Sequence, residues 1–482
     1  MTALQLSIFH TNDIHGHVEN LPRLSAFARR LRQDARDAGR ETLFWDAGDA
    51  ADRRILLCSL TKCAAFYPIL NAMDYSLQTL GNAIALPYGP QVLPAVAQRA
   101  AFPILAANLR DGRDAPLADG VIESVLIPLP GGVTMGVFGL TAPWGPVYES
   151  YGYHLPDSIE TARDMTADLR AKGATLVIFL SHLGLEDDRA VAQAVPGISV
   201  IIGAHSHDLL PEGEWCGDVL IAQAGEYGQH VGRVDLTIDP ASGAVSDRTA
   251  RVFPVPADEP DDPAVLAALA AADQEIERVK NQAIGESEAA LSLDYYAECG
   301  IGDLTADAFR ERMHAEAAIL MSGLFHTGLP AGTITRGALA SACFSAANPY
   351  ASDLTGAQIV EALERGLIPE RASYHHHAMR GAPIGTPQVS GLKVFYDPDA
   401  ADGQRIRRVL INGEPLNPAR TYRIAHSDAE WMRERGYLVK AEAQRYEGEV
   451  PTIVNEVIED YLRAHTPVQP PEGDRWVRVN HA

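Results

Sequence analysis

Short apolar runs alternate with amphipathic stretches in the first half of the sequence, and this alternation limits the possible folds most strongly. Apolar runs bounded by polar residues or glycine are typical of buried strands, whereas apolar residues three or four apart are typical of helices. Strands are predicted at Leu4–Phe9, Thr42–Trp45, Ile104–Ala107, Val133–Leu140, Leu176–Leu180 and Ser199–Ile202, helices at Leu21–Ala38, Ser59–Met73, Pro90–Arg99, Ser158–Lys172 and Asp187–Ala194, and antiparallel strands at Val219–Gln223 and Val231–Ile238. This order predicts a layered α/β domain that binds ligands at its strand ends.

The pattern changes near Phe253, where a proline-rich acidic segment, Pro254–Pro263, precedes an Ala/Glu/Gln-rich helix predicted at Ala264–Gln282. Such a segment is typical of a domain boundary. Beyond it, helices are predicted at Asp303–Glu316, Gly356–Arg365 and Thr452–Ala464, and strands at Ala317–Met321, Leu392–Tyr396, Ile406–Ile411 and Tyr422–Ala425. The sequence therefore predicts a first domain at 1–253, a linker and connecting helix at 254–283, and a smaller α+β domain at 284–482.

The composition and the net charge argue against several classes of protein. Hydrophobic residues make up 46% of the 482 residues, which is typical of a globular protein and excludes disorder as the main state. The formal net charge of −23 argues against a nucleic-acid partner, although bound metal ions could still attract a phosphate substrate. The sequence shows no signal peptide and no apolar stretch of about 20 residues, so we expect a cytoplasmic protein without a membrane partner.

Potential metal ligands follow several of the predicted strands. On an extended segment, the side chains of an Asp-x-His pair point to the same side and could share one ion. Another carboxylate could bridge two ions about 3.5–4 Å apart, while an amide oxygen and further imidazoles complete the ligand sets. Any one of these residues alone could be a helix cap or a surface group, but together they predict a metal site: Asp13, His15, Asp49, Asn82, His182, His205 and His207.

The motifs around these residues carry a family resemblance. They are His-Thr-Asn-Asp-Ile-His-Gly-His at 10–17, Asp-Ala-Gly-Asp at 46–49, Leu-Gly-Asn at 80–82, Leu-Ser-His-Leu-Gly at 180–184 and Ile-Ile-Gly-Ala-His-Ser-His at 201–207. In this order they resemble the 5′-nucleotidase family of dinuclear metallophosphatases, over nearly the whole chain. The resemblance implies an α/β fold: a four-layer calcineurin-like metallophosphoesterase sandwich followed by a smaller α+β substrate-binding domain.

The resemblance also implies a cofactor and a reaction. The cofactor would be two divalent metal ions, with Mn, Zn, Fe and Co all compatible with the ligand types. One ion would be held by Asp13, His15, Asp49 and His207, and the other by Asp49, Asn82, His182 and His205, with Asp49 as the bridge. Metal-activated water would then hydrolyse a phosphoester of a nucleotide or another small phosphorylated metabolite, a role in nucleotide catabolism.

The sequence departs from the family directly after Asn82. The family continues with His-Glu-Phe-Asp, in which the His donates to the phosphoryl or leaving oxygen and the Asp orients it, but Ala83 and Leu86 occupy these two positions here. Losing one preorganised donor typically lowers the rate by about 10²- to 10³-fold. His17 is the nearest candidate for a replacement catalytic group, although its position favours a loop histidine or one that supports the ligands.

The second domain departs from the family as well. Thr327 occupies the position of the family arginine that contacts the nucleotide, and the aromatic residues of the family's base clamp are not retained. The candidate substrate-binding residues at the corresponding positions are Phe325, His326, Asn348 and Trp431, although Trp431 could also be a core aromatic residue. The run at 375–377, three histidines in a loop containing glycine and proline, favours a solvated loop or a substrate-facing lid over a metal site.

Two alternatives to a nucleotide phosphatase remain open. The chain could use its metal cleft for binding or sensing, with hydrolysis weak or lost. It could also hydrolyse a phosphodiester or a sulfur ester, because a leaving group of low pKa needs less help from a general acid. The oligomeric state and the identity of the metals are not determined by the sequence.

Overall fold

The computed structural model divides the chain into two compact units, residues 1–276 and 277–482. It describes residues 3–112, 115, 117, 120–375, 382–432, 435–440, 444–471 and 473–479. The boundary between the units lies inside the long helix at Pro263–Lys280. The functional domain bounds expected from the sequence remain a prediction.

The first unit contains the strands and helices that the sequence alternation predicts, together with several short strands. The strands are β1 (Leu4–Thr11), β2 (Glu41–Asp46), β3 (Leu77–Thr79), β4 (Ile104–Leu105), β5 (Arg110–Asp111), β6 (Ser124–Pro128), β7 (Thr134–Leu140), β8 (Tyr153–His154), β9 (Leu176–Ser181), β10 (Val200–Ile202), β11 (Glu214–Cys216), β12 (Val219–Ala222), β13 (His230–Ile238) and β14 (Val245–Pro254). The helices are α1 (Leu21–Asp37), α2 (Leu56–Thr61), α3 (Tyr67–Ala72), α4 (Asn82–Tyr88), α5 (Leu93–Arg99), α6 (Gly145–Ser150), α7 (Ser158–Ala171), α8 (Leu185–Ala194) and α9 (Pro263–Lys280).

Two six-stranded sheets form the centre of this unit. One has the strand order β14-β13-β1-β2-β3-β4, and the other has the order β11-β12-β10-β9-β7-β6. Along β9, Leu176, Ile178 and Leu180 belong to the core between the sheets, whereas Val177 and Phe179 belong to the core beneath α7 and α8. Helices α1 to α5 cover the outer face of the first sheet in the same way. The four-layer α/β sandwich implied by the family resemblance is confirmed.

Several local predictions differ from the structure. The helix predicted at Ser59–Met73 is divided into α2 and α3, because Lys62 and Cys63 adopt left-handed backbone conformations with φ of 48° and 67°. Left-handed residues cannot continue a right-handed helix. Strand β12, predicted as an antiparallel strand, pairs antiparallel with β11 but parallel with β10. The sequence analysis missed β3, β5, β6, β8, β11 and β14 and helices α4 and α6.

The second unit has an α+β arrangement of its own, as predicted. Its strands are β15 (Ala283–Ser287), β16 (Ala317–Met321), β17 (Gly332–Thr335), β18 (Pro349–Thr355), β19 (Pro387–Ser390), β20 (Leu392–Tyr396), β21 (Ile406–Ile411), β22 (Glu414–Pro415), β23 (Thr421–Ser427), β24 (Tyr446–Gly448) and β25 (Trp476–Arg478), and its helices are α10 (Gly300–Arg312), α11 (Arg336–Ala342), α12 (Gly356–Gly366), α13 (Pro369–Ala372) and α14 (Val454–His465). A five-stranded sheet, β19-β16-β23-β18-β24, and a four-stranded sheet, β22-β21-β20-β25, share one hydrophobic core with these helices.

Two further predictions concern membrane-spanning segments and the histidine run at 375–377. Within the described ranges, no helix combines the length and the apolar character that crossing a bilayer requires. The histidine run at 375–377 lies largely outside the described residues, so its predicted role as a loop or lid stays a prediction.

Close packing of the two sheets generates a testable prediction. A Cβ atom on Gly139 of β7 would lie 2.5 Å from Leu105 Cβ and 2.7 Å from Thr79 Oγ1, both on the opposite sheet. We expect Gly139→Ala to lower the free energy of unfolding by about 1–3 kcal/mol, since overpacking forces the sheets apart. Urea denaturation followed by circular dichroism measures the change. Gly145→Ala is the matched control, because its Cβ meets no atom within 4 Å; an equal effect of both substitutions would contradict the steric argument.

Candidate metal centre

The seven predicted metal ligands follow strands of both sheets. Strands β1, β2 and β3 run parallel to one another, and β9 runs parallel to β10. In parallel strands the carboxyl ends meet at one edge of the sheet, which is where open α/β sheets bind their ligands. Asp13 and His15 follow β1, Asp49 follows β2, Asn82 follows β3, His182 follows β9, and His205 and His207 follow β10.

Left-handed backbone conformations are concentrated at these ligands. Five of the seven have positive φ angles, between 49° and 75°: Asp13, His15, Asp49, His205 and His207. Such conformations cost of the order of 1–3 kcal/mol for residues other than glycine and persist only where the surroundings fix them. The surroundings here include backbone hydrogen bonds from Asp13 N to Gly48 O (3.0 Å) and from His15 N to Asp49 O (2.8 Å). The loops after β1 and β2 therefore hold each other in place.

One group of donors consists of Asp13, His15 and His207. Their ligand atoms all lie within 4.8 Å of one another, with His15 Nε2 3.7 Å and His207 Nε2 3.5 Å from Asp13 Oδ1. The two imidazole Nε2 atoms are 3.2 Å apart. Asp13 is fully buried, whereas the His207 side chain is 32% exposed, so this group opens to solvent on the His207 side.

The other group consists of Asp49, His182 and His205, whose ligand atoms likewise lie within 4.8 Å of one another. His182 Nε2 is 3.2 Å from Asp49 Oδ2, and both side chains are almost completely buried. Asp49 Oδ2 is also 3.9 Å from His15 Nε2 of the first group. Asp49 thus lies between the two groups, at the position expected of a bridging carboxylate.

Polar atoms of the second group show that the residues fit a cation. The buried Asn82 Oδ1 atom, next to this group, has no hydrogen-bond partner among the described residues, and the buried His182 Nε2 atom makes no hydrogen bond of good geometry although it lies 3.2 Å from Asp49 Oδ2. Buried polar atoms without partners are costly, and a divalent ion accepting both lone pairs would remove that cost. Carboxylate, imidazole and amide donors are the ligand types that Mn²⁺, Zn²⁺, Fe and Co²⁺ share.

In three of the four candidate ligand histidines, His15, His182 and His207, the second ring nitrogen has a partner that fixes the ring. His182 Nδ1 is 2.8 Å from Ala47 O, and His15 Nδ1 is 3.0 Å from Asp52 Oδ2. His207 Nδ1 is bonded to the Glu226 carboxylate. Carboxylate or carbonyl partners on the remote nitrogen are typical of metal-binding histidines, because they orient the ring and increase its basicity.

Asp52 and Glu226 were not identified from the sequence. Asp52 follows Asp49 by three residues and could have been suspected as part of the same acidic loop. Glu226 lies in the loop after β12, and no motif marks it. Only the tertiary structure brings this loop to the ligands: Asn12 binds the backbone of residues 224 and 225, and Tyr227 N donates to Asp13 O at 2.8 Å.

The pKa values of the candidate ligand histidines His182 and His205 are shifted in opposite directions. Burial opposes protonation of His182, but the adjacent Asp49 carboxylate outweighs it and raises the pKa of His182 to about 9. Burial and the neighbouring His182 lower the pKa of His205 to about 4. Because a metal ligand must be deprotonated, metal binding would release the proton of His182. Asp46 is separate from the ligands: it accepts hydrogen bonds from Thr11 and Gln78.

The structure places His17 at the rim and not among the ligand atoms. Its side chain is 38% exposed, and its Nδ1 atom is 2.8 Å from Glu19 Oε1. Its ring lies on Tyr227, with the ring centroids 4.3 Å apart. Ala83, where the family has a histidine, is the second residue of α4, and its backbone N–H donates to Asp49 Oδ1 at 2.7 Å. A catalytic role for His17 stays a prediction.

The four candidate substrate-binding residues of the second unit occupy different environments. Phe325 has no exposed surface and is part of the hydrophobic core, so its ring is not available to a ligand. His326 is exposed and packs on Phe344, with ring centroids 4.0 Å apart. Asn348 is half-buried and donates to the Thr452 carbonyl at 2.7 Å.

The fourth candidate, Trp431, is enclosed by other side chains. Its ring centroid lies 4.5 Å from that of His426 and 4.9 Å from that of Tyr350. The Lys440 ammonium nitrogen is 4.7 Å from the centroid of the same ring. These contacts agree with the interpretation of Trp431 as a packed aromatic residue and leave little of the ring for stacking on a nucleobase.

Comparisons with known proteins agree with this architecture. Residues 276–437 match the family described as 5′-nucleotidase, C-terminal domain. The uncharacterized metallophosphoesterase YunD of Bacillus subtilis (strain 168) is 28% identical over 428 residues, covering 88% of this chain and 92% of that protein. A 5′-nucleotidase of Diplobatis ommata is 25% identical and covers 99% of this chain and 90% of its own. The structure of Haemophilus influenzae NAD nucleotidase (NadN) covers all of both chains, with a TM-score of 0.59 and 17% identity.

The fold and the two donor groups define a metallophosphoesterase-type first unit followed by a 5′-nucleotidase-type second unit. Residues 276–437 match the 5′-nucleotidase C-terminal domain family, and the chain is similar over most of its length to a metallophosphoesterase and a 5′-nucleotidase, which support a metal-dependent phosphoric ester hydrolase. The absence of the His/Asp pair at positions 83 and 86 makes it divergent from these relatives.

The close approach of backbone to Asp49 generates a second prediction. A Cβ atom on Gly81 would lie 2.0 Å from Asp49 Oδ1, although φ at this position suits any residue. We expect Gly81→Ala to displace the Asp49 carboxylate and to weaken divalent-metal binding by about 10- to 100-fold, the range seen when supporting residues are lost. Isothermal titration with Mn²⁺ measures the affinity, and Gly145→Ala is the control. Unchanged binding by Gly81→Ala would show that Asp49 is not a ligand.

Proposed function

We propose that this protein is a divalent-metal-dependent hydrolase of phosphoesters in small metabolites, such as nucleotides or nucleotide-sugar derivatives. The observation that supports this most directly is the arrangement of the two donor groups around Asp49, whose Oδ2 atom lies 3.2 Å from His182 Nε2 and 3.9 Å from His15 Nε2. A shared carboxylate is the device by which two-metal phosphatases hold ions about 3.5–4 Å apart.

Several residues of this chain orient the candidate ligands for a pair of metal ions. A pair of divalent ions, when bound, lowers the pKa of water and offsets phosphoryl charge. Asp52 and Glu226 hold the imidazoles of His15 and His207 in the orientation that presents Nε2 as the ligand atom. The Ala83 N–H fixes one oxygen of Asp49, which leaves the other oxygen for the metals.

The leaving group receives no proton from positions 83 and 86. Ala83 and Leu86, both on α4, carry no ionisable group, and the backbone carbonyl of Leu86 accepts a hydrogen bond from the Tyr151 hydroxyl. A general acid matters least when the leaving group is a weak base. The proposed substrates therefore have leaving groups of low pKa, which include phosphoanhydrides, phosphodiesters with one acidic alcohol and aryl phosphates.

We propose that this protein does not recognise its substrate with a base clamp of the family's type. Phe325 is buried, Trp431 is packed between His426 and Lys440, and Thr327 replaces the nucleotide-contacting arginine. Without two open rings for stacking, a nucleobase would gain little affinity. The proposed substrate class is therefore defined by its phosphoryl group more than by a base.

Hydrolysis of p-nitrophenyl phosphate tests the proposed activity. We expect turnover with Mn²⁺ or Co²⁺, loss of turnover after removal of metal with EDTA, and a decrease of at least about 10³-fold in Asp49→Asn, since both donor groups use this carboxylate. Asp218→Asn, at an exposed aspartate after β11, is the control and should retain full activity. Tight Mn²⁺ binding without turnover of any phosphoester would instead favour a binding or sensing protein.

The dependence of the rate on the leaving group provides a further test. We expect kcat/KM to fall steeply from aryl to alkyl phosphomonoesters, because no acid protonates the departing alkoxide. Ala83→His combined with Leu86→Asp should raise the rate for the alkyl ester by about 10²- to 10³-fold and the aryl ester much less. Ala83→Gln with Leu86→Asn, which adds bulk without an acid, is the control. Equal changes for the two esters would show that another group already acts as the acid.

A further inference from the structure

A network of charged and polar side chains surrounds the open side of the first donor group. Asp52 holds His15 at 3.0 Å, and Glu226 holds His207. Arg54 lies between these two carboxylates: its Nε atom is 3.8 Å from Asp52 Oδ2, and burial and the Glu226 carboxylate raise the pKa of the nearby Tyr227 hydroxyl, whereas the charge of Arg54 lowers it. This rim network runs from one ligand histidine to the other.

Arg54 lies on the solvent side of the network. Its side chain is 71% exposed, whereas that of Asp52 is only 9% exposed. The ring of Tyr227, whose hydroxyl is influenced by the Arg54 charge, has its centroid 6.3 Å from that of His15 and 6.1 Å from that of His207. The guanidinium is therefore placed at the edge of the donor group that opens to solvent.

The neighbouring Asp52 carboxylate does not engage all the N–H donors of the Arg54 guanidinium. The Asp52 carboxylate already accepts from His15 Nδ1 and from the Arg54 backbone N–H at 2.8 Å, and the Nε separation of 3.8 Å is longer than a hydrogen bond. A guanidinium presents several N–H donors in a planar fork that matches the oxygens of a phosphoryl group. Donors of Arg54 thus remain for a ligand.

Charge balance indicates an anionic ligand. Four carboxylates surround the donor groups, Asp13, Asp49, Asp52 and Glu226, and two divalent cations would offset their charge. The charge of Arg54 is then available for a substrate anion. A dianionic phosphoryl group beside the first donor group would meet this cation on the same side.

We propose that Arg54 binds the phosphoryl oxygens of the substrate and supplies the positive donor that the Ala83 position lacks. This inference rests on the proposed hydrolase function. Arginine cannot act as a general acid at neutral pH, so Arg54 stabilises phosphoryl charge without protonating the leaving group.

Binding of inorganic phosphate to the Mn²⁺-loaded full-length protein tests this assignment separately from turnover. We expect Arg54→Gln to weaken phosphate binding, measured by isothermal titration, by about 10- to 100-fold, the range for a lost hydrogen bond between charged groups. Arg54→Lys should recover part of the affinity, because it keeps the charge but not the fork. The bound Mn²⁺ content, measured by elemental analysis, should stay unchanged in both variants.

Arg53→Gln is the matched control, since Arg53 is the adjacent exposed arginine in the sequence. An equal loss of phosphate affinity in Arg53→Gln, unchanged affinity in Arg54→Gln, or a parallel loss of Mn²⁺ from Arg54→Gln would each overturn the assignment. If phosphate binding depends on Arg54 but the wild-type protein hydrolyses no phosphoester, the assignment stands and the proposed hydrolase function fails. If both hold, Arg54→Gln should also lower kcat/KM for p-nitrophenyl phosphate.

Discussion

Placement of the Asp49 carboxylate between two sets of imidazoles is the interaction on which the architecture of the first unit depends. The carboxylate is almost completely buried and lies within 4 Å of imidazole nitrogens from both donor groups. To reach this position it needs a left-handed backbone at Asp49 itself and a neighbour without a side chain at Gly81. Such local strain persists only on a rigid scaffold, which the two face-to-face sheets and their three apolar layers provide.

The site combines retained metal ligands with altered surroundings. All seven ligand positions keep the family's residue types, while the donor after Asn82 is replaced by Ala83. Stabilisation of phosphoryl charge can come from metals and arginine, whereas protonation of a leaving group needs a titratable side chain. The two functions are thus separable, and this chain keeps the first without the family's means for the second. The proposed preference for substrates with acidic leaving groups rests on that separation.

The second unit shows the same contrast between scaffold and recognition. Residues 276–437 match the 5′-nucleotidase C-terminal domain family, but two of the four candidate substrate-binding residues, Phe325 and Trp431, are buried or enclosed. Lys440 occupies a face of the Trp431 ring, where a ligand ring would otherwise stack. A fold is retained when its apolar core is retained, whereas ligand recognition depends on a few exposed side chains that change without cost to that core.

The sequence by itself determined the layered α/β fold and the α+β second unit, and it predicted seven candidate ligand positions, six of which lie in the two donor groups. Apolar periodicity reports which faces are buried, and Gly-flanked Asp, His and Asn residues after strands report where ligands lie, so both signals are local in sequence. The split between α2 and α3 was not predicted, because left-handed residues at Lys62 and Cys63 leave no mark in an apolar pattern.

Only the tertiary structure shows which groups hold the candidate ligand side chains in position. Glu226 reaches His207 because Asn12 holds the loop after β12 against the end of β1. It also decided that Phe325 is a core residue and not a ligand contact. Asn12 and Gly225 are 213 positions apart in the sequence, and even Glu226 and His207 are 19 apart. Side-chain contacts of this kind depend on loop paths in three dimensions, about which the periodicity of a sequence carries no information.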